Sequence, residues 1–401
     1  MIASLKCYGI INHNTFEKGT PVEIRHGWAA RMAAIVCAIM LALAAMAFAG
    51  CAETNDGGET EDAASAMMTV VDMRGRTVDV PQDVQRIVCV GISLRPVCYL
   101  QAVDKVVGVE ESEHEDYVQC AYRHVNHATF EKLPVIGDGG SKGVTPNEEA
   151  IMEAAPQVIV ADGLEADAAD ALQQKTGIPV ICLDQPETFF GQDYCDNLLF
   201  LGKVLGREER AHEVVDYIKD LESDLKARSA ASKSAGTVSA YAAGISFRGG
   251  HGFDGTEALF PPFDVCGIAN VADGQGANGP YSIDLEAVSS AQPSYVFIES
   301  GNLPLVKEDY ASNPAYFDAL NAVKEGKTYS LISYRFYSTN VELALANCYQ
   351  VGSVAYPDTF SDVDPEKKLD EISEFMLGAP LSAEFAQKEG ARFQQVDITQ
   401  P

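Results

Sequence analysis

Residues 193–233 read DYCDNLLFLGKVLGREERAHEVVDYIKDLESDLKARSAASK. Leu198, Leu201, Leu205, Val214, Val215, Ile218 and Leu221 recur at helical steps and mark one apolar stripe. No proline interrupts the run, and Gly202 and Gly206 are breaks that a helix tolerates. The spacing predicts one long helix or two. On both sides the pattern is different. Upstream, RIVCVG (86–91), KVVGVE (105–110), QVIVAD (157–162) and PVICLD (179–184) are short, β-branched and separated by helical spacing. Downstream the alternation restarts with TVSAYAAG (237–244), YVFIES (295–300) and KTYSLI (327–332). Alternating strands and helices build parallel-rich sheets. The reading is an α/β protein of two Rossmann-like lobes bridged by helix. The N-terminal lobe spans 69–190, the bridge 191–235 and the C-terminal lobe 236–401.

The segment before residue 69 is of another kind. Arg25 and Arg31 precede the uncharged run 32–50, MAAIVCAIMLALAAMAFAG, which ends at Cys51. A basic flank, an apolar stretch and small residues at its end describe a secretory signal. FAGC has the form of a lipobox, with Phe48 where leucine is usual, and makes Cys51 the expected lipidation site. An uncleaved transmembrane anchor is the alternative, and both place the body outside the cytoplasm. Residues 1–30 are long for a signal flank, and Val22 is the expected true start. Residues 52–68 begin AETNDGGETEDAASA, small, acidic and without apolar period, and are expected to be a flexible tether.

Without residues 1–51, 25 Lys and Arg stand against 56 Asp and Glu, a net charge near −31. Phosphate backbones repel such a body, which argues against nucleic-acid binding. Seven cysteines remain in it: Cys89, Cys98, Cys120, Cys182, Cys195, Cys266 and Cys348. An odd number cannot pair fully within one chain, and apolar surroundings make most of them small buried hydrophobes.

Two internal matches connect the lobes. GISLR (91–95) and GISFR (244–248) each follow the first strand of a lobe. Loops at the carboxyl ends of such strands line the crevice of open α/β sheets, which would set Arg95 and Arg248 on opposite walls of one cleft. The second match pairs TPNEEAIMEAAPQVIV (145–160) with SIDLEAVSSAQPSYVF (282–297). Thr145 and Ser282 are the expected N-caps, and Glu149 and Glu286 fall in the first turns of equivalent helices. Further on, Thr339 and Glu342 have capping-box spacing, and Asp364 with Pro365 opens a helix over 365–377.

Read in order, VVDMRGRTVDVPQDVQRIVCVG, LPVIGDGG, EEAIMEAAPQVIVADG, LQQKTGIPVICLD, LLFLGKVLGREERAHEVVDYI, NPAYFDALNAVKEGKTYSL and LANCYQVGSVAYPDTF resemble one family over most of residues 69–378. It is that of the substrate-binding proteins of ABC importers for ferric siderophores, haem and cobalamin, in the helical-backbone metal receptor superfamily. The resemblance implies two lobes with ligand held between them and an ABC permease dimer with its ATPase as partner. It also implies that Glu149 and Glu286 dock on arginines of that permease. The expected function is delivery of a ferric siderophore-type metal chelate by a monomeric, lipid-anchored protein on the outer face of the cell membrane. Haem or cobalamin is the alternative cargo.

Loop position then names the ligand-binding candidates: Ser93 and Arg95; Arg248 and His251 in FRGGHGFDG (247–255); and Tyr334, Arg335 and Tyr337 in ISYRFYSTN (332–340). Guanidinium groups suit anionic oxygens, and aromatic rings suit a flat ligand. Lys142 in GDGGSKG (137–143) could add charge. Cys120, His124 and His127 share one helical face, a spacing that admits a metal, but no fourth ligand is placed and none is expected there. Neither H-E-x-x-H nor a phosphate loop occurs, so no catalytic residue and no cofactor are expected. A secreted enzyme, or a sensory or adhesive surface lipoprotein on the same scaffold, is the reading from another class.

Overall fold

The computed structural model describes residues 66–186, 188–232 and 238–400. The signal, Cys51 and the tether up to residue 65 lie outside the described residues.

The first lobe opens with a hairpin, β1 (Met67–Val71) and β2 (Thr77–Pro81), so the strand begins inside the segment read as tether. The lobe continues with β3 (Ile87–Val90), α1 (Leu94–Tyr99), β4 (Val106–Gly108), α2 (Ala121–Phe130), α3 (Glu148–Ala154), β5 (Val158–Ala161), α4 (Ala166–Thr176) and β6 (Val180–Cys182). Two helices follow, α5 (Gln192–Leu205) and α6 (Glu208–Ala231). The break between them is Gly206, in the left-handed region at φ 63°. A Cβ on Gly202 would lie 2.5 Å from that of Ala211, so glycine there lets the two helices approach closely.

The second lobe contains β7 (Ser239–Ala243), β8 (Gly255–Ala258), α7 (Pro261–Val265), β9 (Ala269–Asn270), β10 (Gly279–Ser282), α8 (Leu285–Ala291), β11 (Tyr295–Glu299) and α9 (Leu303–Ser312). After these come the single-turn helices α10 (Pro314–Phe317) and α11 (Asn321–Lys324), then β12 (Thr328–Leu331). The chain ends with α12 (Val341–Ala355), α13 (Pro365–Leu377) and α14 (Ser382–Lys388).

Both main sheets are wholly parallel. The first has the order β4-β3-β5-β6 and the second β9-β7-β11-β12. Counted within each lobe, both read second, first, third, fourth. The antiparallel pair β8 and β10 is an addition to the second lobe alone.

Strand periodicity divides the core into three. Ile87, Cys89, Val158, Val160, Ala240, Ala242 and Phe297 face one continuous cluster with the helical layer. The whole predicted stripe of 193–233 is buried in that cluster, together with most of α12. Val88, Val90, Ile159 and Ala161 face a separate cluster on the far side of the first sheet. Tyr241, Val296 and Ile298 do the same in the second. The helical layer is therefore shared by both lobes and is wider than a single bridging rod.

α13 packs on α12, and the last helices reach across to the first lobe as well. α13 packs against α1 and α2 of the first lobe. From α14, Glu384 reaches His124 at 3.7 Å and Lys388 reaches Asp116 at 3.6 Å. Arg210 of α6 donates through Nε to Tyr99 O at 3.1 Å and to Phe375 O, tying α6 to α1 and α13.

Each main sheet has one edge covered by a segment from outside its strand–helix alternation. At β6, buried Asp72 accepts from Cys182 N at 3.0 Å and pairs with Arg76 at 2.9 Å. At β12, Val396 N donates to Thr328 O and Ser330 N to Gln394 O, both at 2.9 Å.

Candidate binding cleft

The carboxyl ends of β3, β5 and β6 face the loop between β12 and α12 across a cleft of about 260 Å³. The turn after β3 is tight: a Cβ on Gly91, at φ 71°, would fall 2.1 Å from Asp162 O at the end of β5. Asn197 of α5 fixes the end of β6 by accepting from Asp184 N at 2.9 Å and donating to Asp184 O at 3.0 Å.

Arg95 lies in the first turn of α1 and lines this cleft. It is 4% exposed, its guanidinium carbon sits 4.9 Å from the Tyr122 ring centroid, and it donates to Tyr337 O. Its Nε is buried without a hydrogen-bond partner, and it forms no ion pair among the described residues. Asp162, buried at the end of β5, accepts from Gln185 Nε2 at 2.7 Å. Burial pushes its carboxyl up to about 6. On the opposite wall, Arg335 lines the cleft but is held by Glu257 of β8, through Nε at 2.8 Å and through Nη2. The Tyr334 hydroxyl donates to the same carboxylate.

The other predicted residues fall elsewhere. Ser93 is fully buried, with Oγ 2.9 Å from Val160 O and 3.1 Å from Val90 O, so it holds the turn. The two pentapeptides diverge at their arginines. Leu94 opens a helix, whereas Phe247 opens a glycine-rich loop that leaves Arg248 exposed, at φ 53°, outside the cleft lining. His251 stacks on Phe247 at 3.7 Å and its Nε2 lies 2.8 Å from Phe247 O, also outside the lining. Lys142 is exposed and pairs with Asp138 and Glu111. His124 lies 2.5 Å from Asp116, and His127 lies 3.7 Å from Glu131. All seven body cysteines are free and buried.

Tyr337 points away from the cleft and into the first lobe. Its hydroxyl lies 3.3 Å from Gly91 O and 3.2 Å from Glu110 Oε2, and accepts from Gly140 N at 3.1 Å. The Arg123 guanidinium covers its ring at 4.6 Å. Beside it, Tyr117 and Phe336 pair across the lobes at 5.2 Å. This side of the seam is closed, with Arg95 between it and the cleft.

Burial pushes the Glu110 carboxyl up to about 7, against the opposing hydrogen bond from Gly91 N. An acid whose pKa rises on folding favours the folded state when protonated. Stability attached to Glu110 should therefore fall as pH rises from about 4.5 to 7 and stay level above. Glu110→Gln should remove that slope, a relative gain of about 3 kcal/mol at pH 8 over pH 4. Melting curves at both pH values check this; a difference from wild type that does not change with pH contradicts it.

Glu149 and Glu286 are each the second residue of a seven-residue helix, α3 and α8, and both are exposed. The helices end alike, at Ala155 and Gln292, both at φ 47°, before a proline and a strand. Their caps correct the sequence reading. Asn147 accepts from Ala150 N and Asp284 from Glu286 N, so Thr145 and Ser282 stand two residues too early. The Thr339 capping box does not form either: Asn340 is the N-cap position of α12, and Glu342 is buried and accepts from the Tyr99 hydroxyl. Asp364 caps α13 as expected.

Asp162, Gln185, Asp184 and Glu257 were missed. Asp162 and Asp184 end strand-like runs and Gln185 follows the second, so all three were reachable by the strand-end rule that selected Arg95. GTEA of β8 has no apolar alternation to reveal Glu257. Residues 139–143, GGSKG, have the letters of a nucleophile elbow, but they form a lone 3-10 turn and no strand leads directly into a helix there.

Two parallel-sheet lobes, a shared helical layer and a cleft at the strand ends define a binding protein of the two-lobe class. Residues 96–334 match the model of the periplasmic binding protein family, more than half of the chain, and the chain belongs to that family. No curated protein matches. Among solved structures, the chain is similar to a periplasmic solute binding protein of Veillonella parvula, at 19% identity and TM-score 0.62, covering 81% of this chain and 97% of that one. It is similar to MolA, the molybdate periplasmic binding protein of a Haemophilus influenzae ABC transporter, at 18% identity and TM-score 0.60, covering 78% and 98%. A third is FepB, a TroA-like periplasmic binding protein of Veillonella parvula, at 21% identity and TM-score 0.60, covering 78% and 96%. At these identities the likeness is one of fold. No helix among the described residues is long and apolar enough to cross a membrane.

Proposed function

We propose that this chain is the extracytoplasmic substrate-binding protein of an ABC importer and carries a ferric siderophore-type chelate. The observation that supports this most is Arg95: a buried guanidinium with a spare donor, on the wall of an interlobe cleft, in a fold of binding proteins. A buried, unsatisfied charged donor is costly unless a ligand oxygen meets it. Delivery then needs a docking face, and Glu149 and Glu286, one exposed on each lobe, supply two separated carboxylates for basic sites on a permease dimer. Lipidation at Cys51 would keep the body at the membrane through the acidic tether. Cys51→Ser should release it from the membrane fraction; retention there would argue for a spanning anchor.

Fluorescence titration with ferric siderophores, haem and cyanocobalamin tests the cargo. A siderophore complex should quench at sub-micromolar concentration. Quenching by haem or cobalamin alone would overturn this choice of ligand in favour of those alternatives.

A further inference from the structure

The two guanidinium groups of the cleft are not equivalent. Arg335 gives both ends of its fork to Glu257, a carboxylate 2% exposed and also engaged by the Tyr334 hydroxyl. A bidentate pair of this kind is electrically closed, and an anion brought to Arg335 would meet the Glu257 charge behind it. Asp184 at the rim is likewise matched, by Arg74 at 2.9 Å. Two lining groups remain without an opposite charge in direct contact. One is Arg95, which has a carbonyl and a ring for partners; the other is Asp162, which has only the amide of Gln185. The cleft therefore offers one positive and one negative group outside any direct ion pair, each within the field of the other.

We infer that Glu257 is a specificity-determining residue: by neutralising Arg335 it restricts the cleft to ligands of low net charge, with one anionic or strongly accepting oxygen against Arg95 and a donor against Asp162. This rests on the chelate-carrier reading above and narrows it. Three hydroxamates cancel the charge of ferric iron, whereas three catecholates leave an excess of three negative charges. The favoured class is the near-neutral ferric hydroxamate. Glu257 acts through Arg335, so it is a positioning residue and need not touch the ligand.

Ferrichrome, a neutral ferric trihydroxamate, and ferric enterobactin, a triply anionic tris-catecholate, serve as probes for titration of the full chain. Wild type should prefer ferrichrome. Glu257→Gln should free Arg335 and shift the affinity ratio toward ferric enterobactin by about tenfold, more at low salt. The double variant Glu257→Gln/Arg335→Gln should restore the wild-type ratio, which loss of structure would not do. Asp162→Asn, on the other lobe, should move the ratio in the same direction as Glu257→Gln and keeps the test open if that variant does not fold. Binding with a ratio unchanged in Glu257→Gln and Asp162→Asn, or a shift that persists in the double variant, overturns the role of Glu257 and leaves the carrier reading standing. Failure of wild type to bind either probe overturns this assignment of ligand class; if haem and cobalamin fail as well, the carrier reading falls with it.

Discussion

Arg95→Gln will weaken ligand binding about 100-fold, the size expected when a charge-assisted hydrogen bond in a desolvated cleft is lost. The glutamine keeps length and polarity but removes the positive charge and the fork. Arg95→Lys restores charge without the fork and should recover about a tenth of the wild-type affinity. The fold should survive both changes, because Arg95 makes no direct ion pair among the described residues and its one described hydrogen bond goes to a carbonyl; Arg95→Gln also gives up the favourable field of that charge at buried Glu342, which the melting curve reads. Isothermal titration with the ligand identified by the panel, alongside a melting curve, separates affinity from folding. Undiminished affinity in Arg95→Gln would remove the main support for the proposed site.

The second large effect falls on transport. With Glu149→Lys and Glu286→Lys combined, uptake should drop to background while cleft affinity stays within about twofold of wild type. Both side chains are exposed, and neither lines the cleft. The first turn of a helix favours a carboxylate, so lysine there costs a few tenths of a kcal/mol at each site, too little to unfold the protein. Each single reversal should give partial loss, because one lobe still docks. Uptake by whole cells measured beside ligand binding in solution decides this. A parallel fall in binding would place the two glutamates in ligand recognition instead of docking.

The architecture was legible where burial leaves a period in the sequence. Ile87–Val90 and Val158–Ala161 are buried on both faces and read as continuous apolar runs, and the stripe from Leu198 to Leu221 reads as helix. The pairing of Glu149 with Glu286 was legible because two short helices with the same left-handed end and the same following proline and strand leave matching letters, although their caps differ. The site was less so. Ser93 and Arg248 were placed by strand-end position alone, and position does not say whether a side chain turns into the turn, the cleft or the solvent. Tyr337 was placed correctly in its loop, but its direction depends on a positive φ of 51° and on Gly140 across the seam. Glu257 lies on an added hairpin with no pattern, and its partner is 78 residues away. The crossing of α13 onto the first lobe was invisible because an amphipathic helix records that one face is buried and not against what.

That crossing bears on how the protein is made. A nascent or translocating chain emerges from its amino end, and the surface of α1 and α2 waits for a cover encoded some 270 residues later. The first lobe stays unfinished until nearly the last residue arrives, an arrangement compatible with passage through a narrow channel in unfolded form and costly if the chain is cut short. A product ending near residue 360 would expose that uncovered face, and quality-control proteases and chaperones would meet it as an aggregation-prone fragment.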